Sequence, residues 1–183
     1  MPRKVKKHNS HNDDKSNKPI EGNVQPAWLE TFELATGYYH GGPDTGLPNY
    51  DKAMKLYKKA YIRGAPSAAR KIGDMYLSGR GAKVSIDNAL KYYNLGIKGK
   101  DYLCYLSMAY LISNRTNQPP SDVMNYYDQF FTSFKLSQPL YGSDVWDIVL
   151  GCERYFRFCI ENPTIKARQY KLAQRLLDEV CKL

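Results

Sequence analysis

Asp51-Lys52-Ala53-Met54-Lys55-Leu56-Tyr57 returns as Asp87-Asn88-Ala89-Leu90-Lys91-Tyr92-Tyr93, a shift of 36 positions from 51 to 87. The same shift carries Ala68 to Cys104, Ile72 to Met108 and Gly73 to Ala109. Small residues replace small ones, and large apolar residues replace large ones. Self-similarity at a fixed period of roughly 20–50 residues marks an array of stacked units, none of which can bury its apolar face alone. Asp51 to Ile112 is therefore the organising stretch. Arrays of this kind mostly bind other proteins and carry no chemistry of their own.

Working outward, the apolar period of a helix extends to both sides. Upstream, Pro26 opens a helix to about residue 40, with Trp28, Phe32, Ala35 and Tyr39 on one face. A second helix over about 51–62 sets Ala53, Leu56, Tyr57 and Ala60 inward and lines Lys52, Lys55 and Lys59 along another face. Pro66 starts a third, closed by Ser78-Gly79-Arg80-Gly81. A fourth spans about 86–98 and a fifth about 101–113. Ser121 or Asp122 caps a sixth to about 136, and an aromatic seventh covers about 143–160. Asn162-Pro163 introduces an eighth over about 164–182. Eight helices make four hairpins, and the last drifts from the repeat, as a terminal unit facing water commonly does.

Residues 1–25 read as a disordered basic tail, rich in Lys, Asn, Ser and His and poor in large apolar residues, ahead of a helical-repeat domain over 26–183. Its cluster Pro2-Arg3-Lys4-Val5-Lys6-Lys7 suits a solvated tail, an import signal or a nucleic-acid contact. The net charge of +9 is unevenly placed. Residues 51–100 hold nine Lys and three Arg against Asp51, Asp74 and Asp87, whereas 101–183 hold nine charges of each sign. Of 24 aromatic residues 16 are Tyr, a side chain suited to half-buried seams and interfaces. No apolar run approaches the ~18 residues of a membrane span, and no signal-peptide core opens the chain. Cytoplasm or nucleus is the expected location. Cys104, Cys152, Cys159 and Cys181 form no C-x-x-C pair and read as buried or half-buried thiols.

Ala68, Ile72-Gly73-Asp74-Met75-Tyr76, Gly79 and Gly81, then Asp87, Ala89, Tyr92-Tyr93, Gly96 and Gly99, resemble the Sel-one-like repeat, a relative of the tetratricopeptide repeat. The resemblance is good over 65–112, partial over 34–64 and weak beyond 120. Leu56-Tyr57 and Tyr92-Tyr93 stand where the family has Trp-Tyr. It implies an all-α fold, a right-handed superhelical array of about four antiparallel helical hairpins. It also implies the role of an adaptor or scaffold. The spacing supports the same packing: small residues at Ala53, Ala60, Ala69, Gly73, Ala89 and Gly96 let helix axes approach to about 8–10 Å.

Between those packing positions, Arg70, Lys71 and Asp74 are expected to face outward on a helix lining the concave groove, with Tyr102, Tyr105 and Tyr110 extending the lining. Lys52, Lys55 and Lys59 form a basic patch. No catalytic site, metal site or cofactor is expected. Two of the three His lie in the tail and His40 ends a helix, so no nucleophile–base pair assembles. The chain has no phosphate-binding G-x-x-x-x-G-K-[ST] and no H-E-x-x-H. The leading expectation is a non-enzymatic adaptor holding a partner protein, with lysines steering an acidic one. The alternative is a nucleic-acid or ribonucleoprotein binder using the Lys52–Lys100 block and its tyrosines.

Overall fold

The computed structural model describes residues 25–135, 140 and 144–182. The Pro2–Lys7 cluster and the rest of the expected tail to residue 24 lie outside them. Eight helices run through the described residues: α1 (Leu29–His40), α2 (Tyr50–Ile62), α3 (Pro66–Ser78), α4 (Ile86–Lys98), α5 (Cys104–Arg115), α6 (Pro120–Ser133), α7 (Asp144–Glu161) and α8 (Tyr170–Val180). Local chemistry sets their starts. Asn49 Oδ1 accepts the Lys52 N–H at 3.0 Å and Ser85 Oγ accepts the Asn88 N–H at 3.2 Å, each satisfying a donor the helix cannot. Pro66 and Pro120 occupy first-turn positions where a missing N–H costs nothing. The α3–α4 turn needs Gly81: its φ is +71°, and a Cβ there would stand 2.5 Å from the Tyr50 carbonyl oxygen.

The helices pair as α1/α2, α3/α4, α5/α6 and α7/α8, and hairpins join where α2 meets α3 and α4 meets α5. Three odd-numbered helices come together on the inside, α5 touching both α3 and α7. Even-numbered helices form the outside, where Tyr61 of α2 meets Tyr92 of α4 edge-on. This is the helical-repeat solenoid that the period predicts. No described helix is long and apolar enough to cross a membrane.

Two apolar cores fill it. Phe32, Ala35, Ala53, Tyr57, Ala60 and Ile72 build the first, and Tyr93, Leu111, Phe130, Ile148, Tyr155 and Val180 belong to the second. Tyr57 is buried with its hydroxyl 3.1 Å from Thr36 Oγ1, and burial pushes its phenol up to about 12. Small residues set the seams. A Cβ on Gly73 would lie 2.5 Å from Tyr93 Cε1, so α3 and α4 approach closely only because position 73 is bare.

Four boundaries differ from expectation by three residues or more. α1 begins at Leu29 rather than Pro26: a turn comes first, in which the Leu29 N–H donates to the Pro26 carbonyl at 2.9 Å. α5 begins at Cys104 rather than 101, because both oxygens of Asp101 are engaged ahead of it: Oδ1 accepts the Leu103 N–H and Oδ2 the Arg70 Nε–H. α8 begins at Tyr170 rather than 164. Asn162 closes α7 by donating from Nδ2 to the Phe158 carbonyl, and a turn follows until the Gln169 N–H reaches the Tyr155 hydroxyl. α6 stops at Ser133, short of 136. Cys181 is exposed, not buried or half-buried.

Candidate functional site: the inner groove

α3 presents Arg70, Lys71 and Asp74 toward the inside of the coil, but not toward water as expected. Arg70 is 1% exposed. Its Nε donates to Asp101 Oδ2 at 3.0 Å, and its terminal nitrogens pair with Asp144 and Asp147 at the start of α7. Lys71 Nζ reaches the same Asp147 oxygen at 2.9 Å. The outward reading of Arg70 is therefore overturned: three carboxylates, one from the α4–α5 turn and two from α7, draw the guanidinium in. Burial alone would lower the Arg70 pKa, and Asp101, Asp147 and Asp144 together hold it well above the usual value. Burial likewise would raise Asp147, but Arg70 and Lys71 outweigh it and hold that carboxyl at about 2.

Asp74 is also turned inward. It is half-buried, and its Oδ1 accepts the Tyr93 hydroxyl at 2.7 Å. Burial raises the Asp74 carboxyl against the pull of Lys71 and Arg70. Burial and then Asp74 push the Tyr93 phenol far above its ordinary range. Asp74 and Asp147 nonetheless reach the surface of a cleft of about 310 Å³ between α3, α5 and α7. Tyr39, Tyr110, Leu150 and Arg154 are among its other walls, with Arg115 at the α5 end. The Arg154 guanidinium lies 3.8 Å from the centre of the Tyr110 ring, a cation–π arrangement. Trp146, Leu150 and Arg154 follow one another at four-residue spacing along α7, and Trp146 is 75% exposed.

The remaining expected residues are scattered. Tyr102 lines a different cavity of about 160 Å³ beside Trp28, Pro66 and Phe134. Tyr105 packs partly buried against the second core. Lys52, Lys55 and Lys59 are exposed on α2, with Lys52 Nζ 4.7 Å over the Tyr38 ring. Among the described residues no group of three or more His, Cys, Asp or Glu side chains is placed to hold a metal ion.

Sequence reasoning missed the ion cluster and the α7 wall. One signal was readable: positions 34, 70 and 106 are equivalent under the 36-residue shift and hold Leu, Arg and Leu. Of the two leucines only Leu106 is buried and Leu34 is 43% exposed, so the series hinted at an inward position without fixing it. The partners themselves lie 31, 74 and 77 residues away, beyond any local pattern.

The family model of the Sel1 repeat matches residues 31–64 and 66–101. Among solved structures, the crystal structure of a Sel1 repeat protein from Oxalobacter formigenes superposes with a TM-score of 0.58 at 17% identity, over 85% of this chain and 61% of that one. The protective antigen c5321 of uropathogenic Escherichia coli strains, which displays an SLR fold, gives 0.56 at 15% identity, over 86% of this chain and 31% of that one. The chain thus spans less than two thirds of either neighbour, and at these identities the likeness speaks for the fold alone. No curated protein matches the sequence. Sel1 repeats generally mediate protein–protein interaction and are generally non-enzymatic. Two stretches of the chain, 31–64 and 66–101, match the Sel1 repeat, and two further helical hairpins follow them in the same solenoid fold.

Proposed function

We propose that the chain is a non-enzymatic adaptor whose inner groove holds a segment of a partner protein within a larger complex. The observation that carries this reading is the α5–α7 wall, where Arg154 lies on Tyr110 in a cleft that Leu150 also lines, with the exposed Trp146 one turn before Leu150 on α7. Trp, Tyr and Arg are the residues that dominate binding energy at protein interfaces, because they combine large contact area with fixed polar geometry. Arg154 and Arg115 form no ion pair among the described residues, so the groove offers two cations to an acidic side chain of the partner. Leu150 and Trp146 offer apolar area to its neighbours.

The test is affinity capture from the native cell lysate with the full chain, quantified by mass spectrometry, beside the double variant Leu150→Ala/Arg154→Ala. Both side chains are on the groove surface, so the thermal midpoint should move little. A defined set of partners should be recovered with the parent chain and fall by about tenfold or more with the variant, as truncating two anchors implies. Equal recovery by both would remove the groove from consideration.

A further inference from the structure

The charged side chains that line the inner cleft are Asp74, Asp147, Arg115 and Arg154, and the two signs are kept apart. Asp74 lies close enough to Asp147 for the two carboxylates to repel. Arg154 stands two turns beyond Asp147 on α7, about 10 Å at the rise of an α-helix. Arg115 ends α5, which runs the same way as α7 in an array of antiparallel hairpins. Leu150 sits on α7 between the two signs and lines the same cleft. The charges also differ in how well they are matched. Arg70 and Lys71 pair with Asp147 and hold its carboxyl at about 2. Asp74 forms no ion pair among the described residues, and burial raises its carboxyl despite Lys71 and Arg70. Arg115 and Arg154 form none either. The cleft therefore holds one under-compensated acid toward α3 and two unpaired bases toward the far ends of α5 and α7.

We propose that the groove takes an extended segment of mixed charge, with a basic side chain directed at Asp74 and an acidic one, three residues along, directed at Arg154 and Arg115. The inference rests on the groove being the partner site and names the chemistry that the site selects. Three residues of extended chain span about 10 Å, which matches the separation of the two signs along α7. The side chains between them meet Leu150. Complementary charge across an interface fixes register and rejects wrong partners, because like charges brought together cost several kcal/mol. A uniformly acidic segment would satisfy the arginines and collide electrostatically with Asp74 and Asp147. A segment entering in the reverse direction would set both of its charges against their own sign. The groove thus admits one charge order.

The test is selection from a soluble peptide library, randomised at every position, on the immobilised full chain, with the retained peptides sequenced by mass spectrometry. Peptides pairing Lys or Arg with Asp or Glu three residues apart, in one order only, should be enriched about tenfold over the input. Asp74→Asn, whose amide oxygen still accepts the Tyr93 hydroxyl, should lose the basic preference and keep the acidic one. Arg115→Gln/Arg154→Gln should lose the acidic preference and keep the basic one. If either variant melts below the parent chain, the parent decides alone, since order and spacing in its own peptides are what the inference states. Retained peptides that are acidic throughout, or that show both orders equally, would overturn the mixed-charge assignment and leave the groove as the partner site. So would variants that lose both preferences or neither. No enrichment, or equal retention by Leu150→Ala/Arg154→Ala, is a separate failure that removes the groove itself.

Discussion

The Arg70 guanidinium directs its Nε and both terminal nitrogens at carboxylates, all inside the coil. Desolvating an arginine is costly, and it is tolerated only where the partners are close and well aligned. Asp147 reports that balance directly. Its carboxyl is held at about 2, below the value of 3.8 it has in the open chain. It therefore favours the folded state fully above pH 4 and loses that effect as pH falls toward 2. Asp74, raised by burial, acts with the opposite sign, so wild-type stability alone does not isolate Asp147. The difference between the parent chain and Asp147→Asn does. Urea midpoints of the two should be furthest apart above pH 4 and converge toward pH 2, and a constant gap would mean that the charge of Asp147 contributes nothing. At this scale little was legible in the sequence: of the residues at 34, 70 and 106, Leu34 is exposed and only Arg70 and Leu106 are buried, and the aspartates that accept Arg70 come from distant segments.

Between elements, the repeat contains its own packing experiment. At the α4–α5 seam a Cβ on Gly96 would collide with Cys104 Sγ. One repeat earlier the same two positions hold Ala60 and Ala68, both fully buried. A glycine with a cysteine and an alanine with an alanine are two ways to fill one gap. Gly96→Ala alone should destabilise by about 1–3 kcal/mol through overpacking, despite the better helix propensity of alanine. Cys104→Ala alone should cost about 1 kcal/mol by leaving a small void. The double variant, which reproduces the earlier repeat, should be more stable than the sum of the two by at least about 1 kcal/mol, read from denaturant unfolding as a coupling energy. Strict additivity would mean that the seam adjusts by backbone shift instead. This scale was the most legible in the sequence, because apolar period and residue size repeat together over 51–112. The start of α8 was not, because a tertiary bond from the Gln169 N–H to the Tyr155 hydroxyl helps seat it.

In the whole molecule, the Arg70 cluster departs from the usual behaviour of such arrays. Each unit of a solenoid ordinarily contacts only its neighbours, so stability is a sum of nearest-neighbour terms and the ends open first. Here α3 in the second hairpin is tied to α7 in the fourth through Asp144 and Asp147, with α5 closing on both. Gly151 permits that closure: a Cβ there would collide with the Leu106 side chain. A link that skips a unit couples the unfolding of the two halves, since α7 cannot leave without taking two of the three carboxylates from the buried Arg70. Arg70→Met removes the link and leaves Asp101, Asp144 and Asp147 facing an apolar side chain, a loss of about 3–5 kcal/mol by the cost of breaking one side of a buried pair. The loss should also be uneven. Hydrogen exchange of α7 and α8 should accelerate well beyond that of α1 and α2, and urea unfolding should broaden as the single transition separates into two. Asp144→Asn/Asp147→Asn, which loosens the link from the other side, should shift the same helices. An equal acceleration in all eight helices would show that Arg70 supports the core locally and does not join the second hairpin to the fourth.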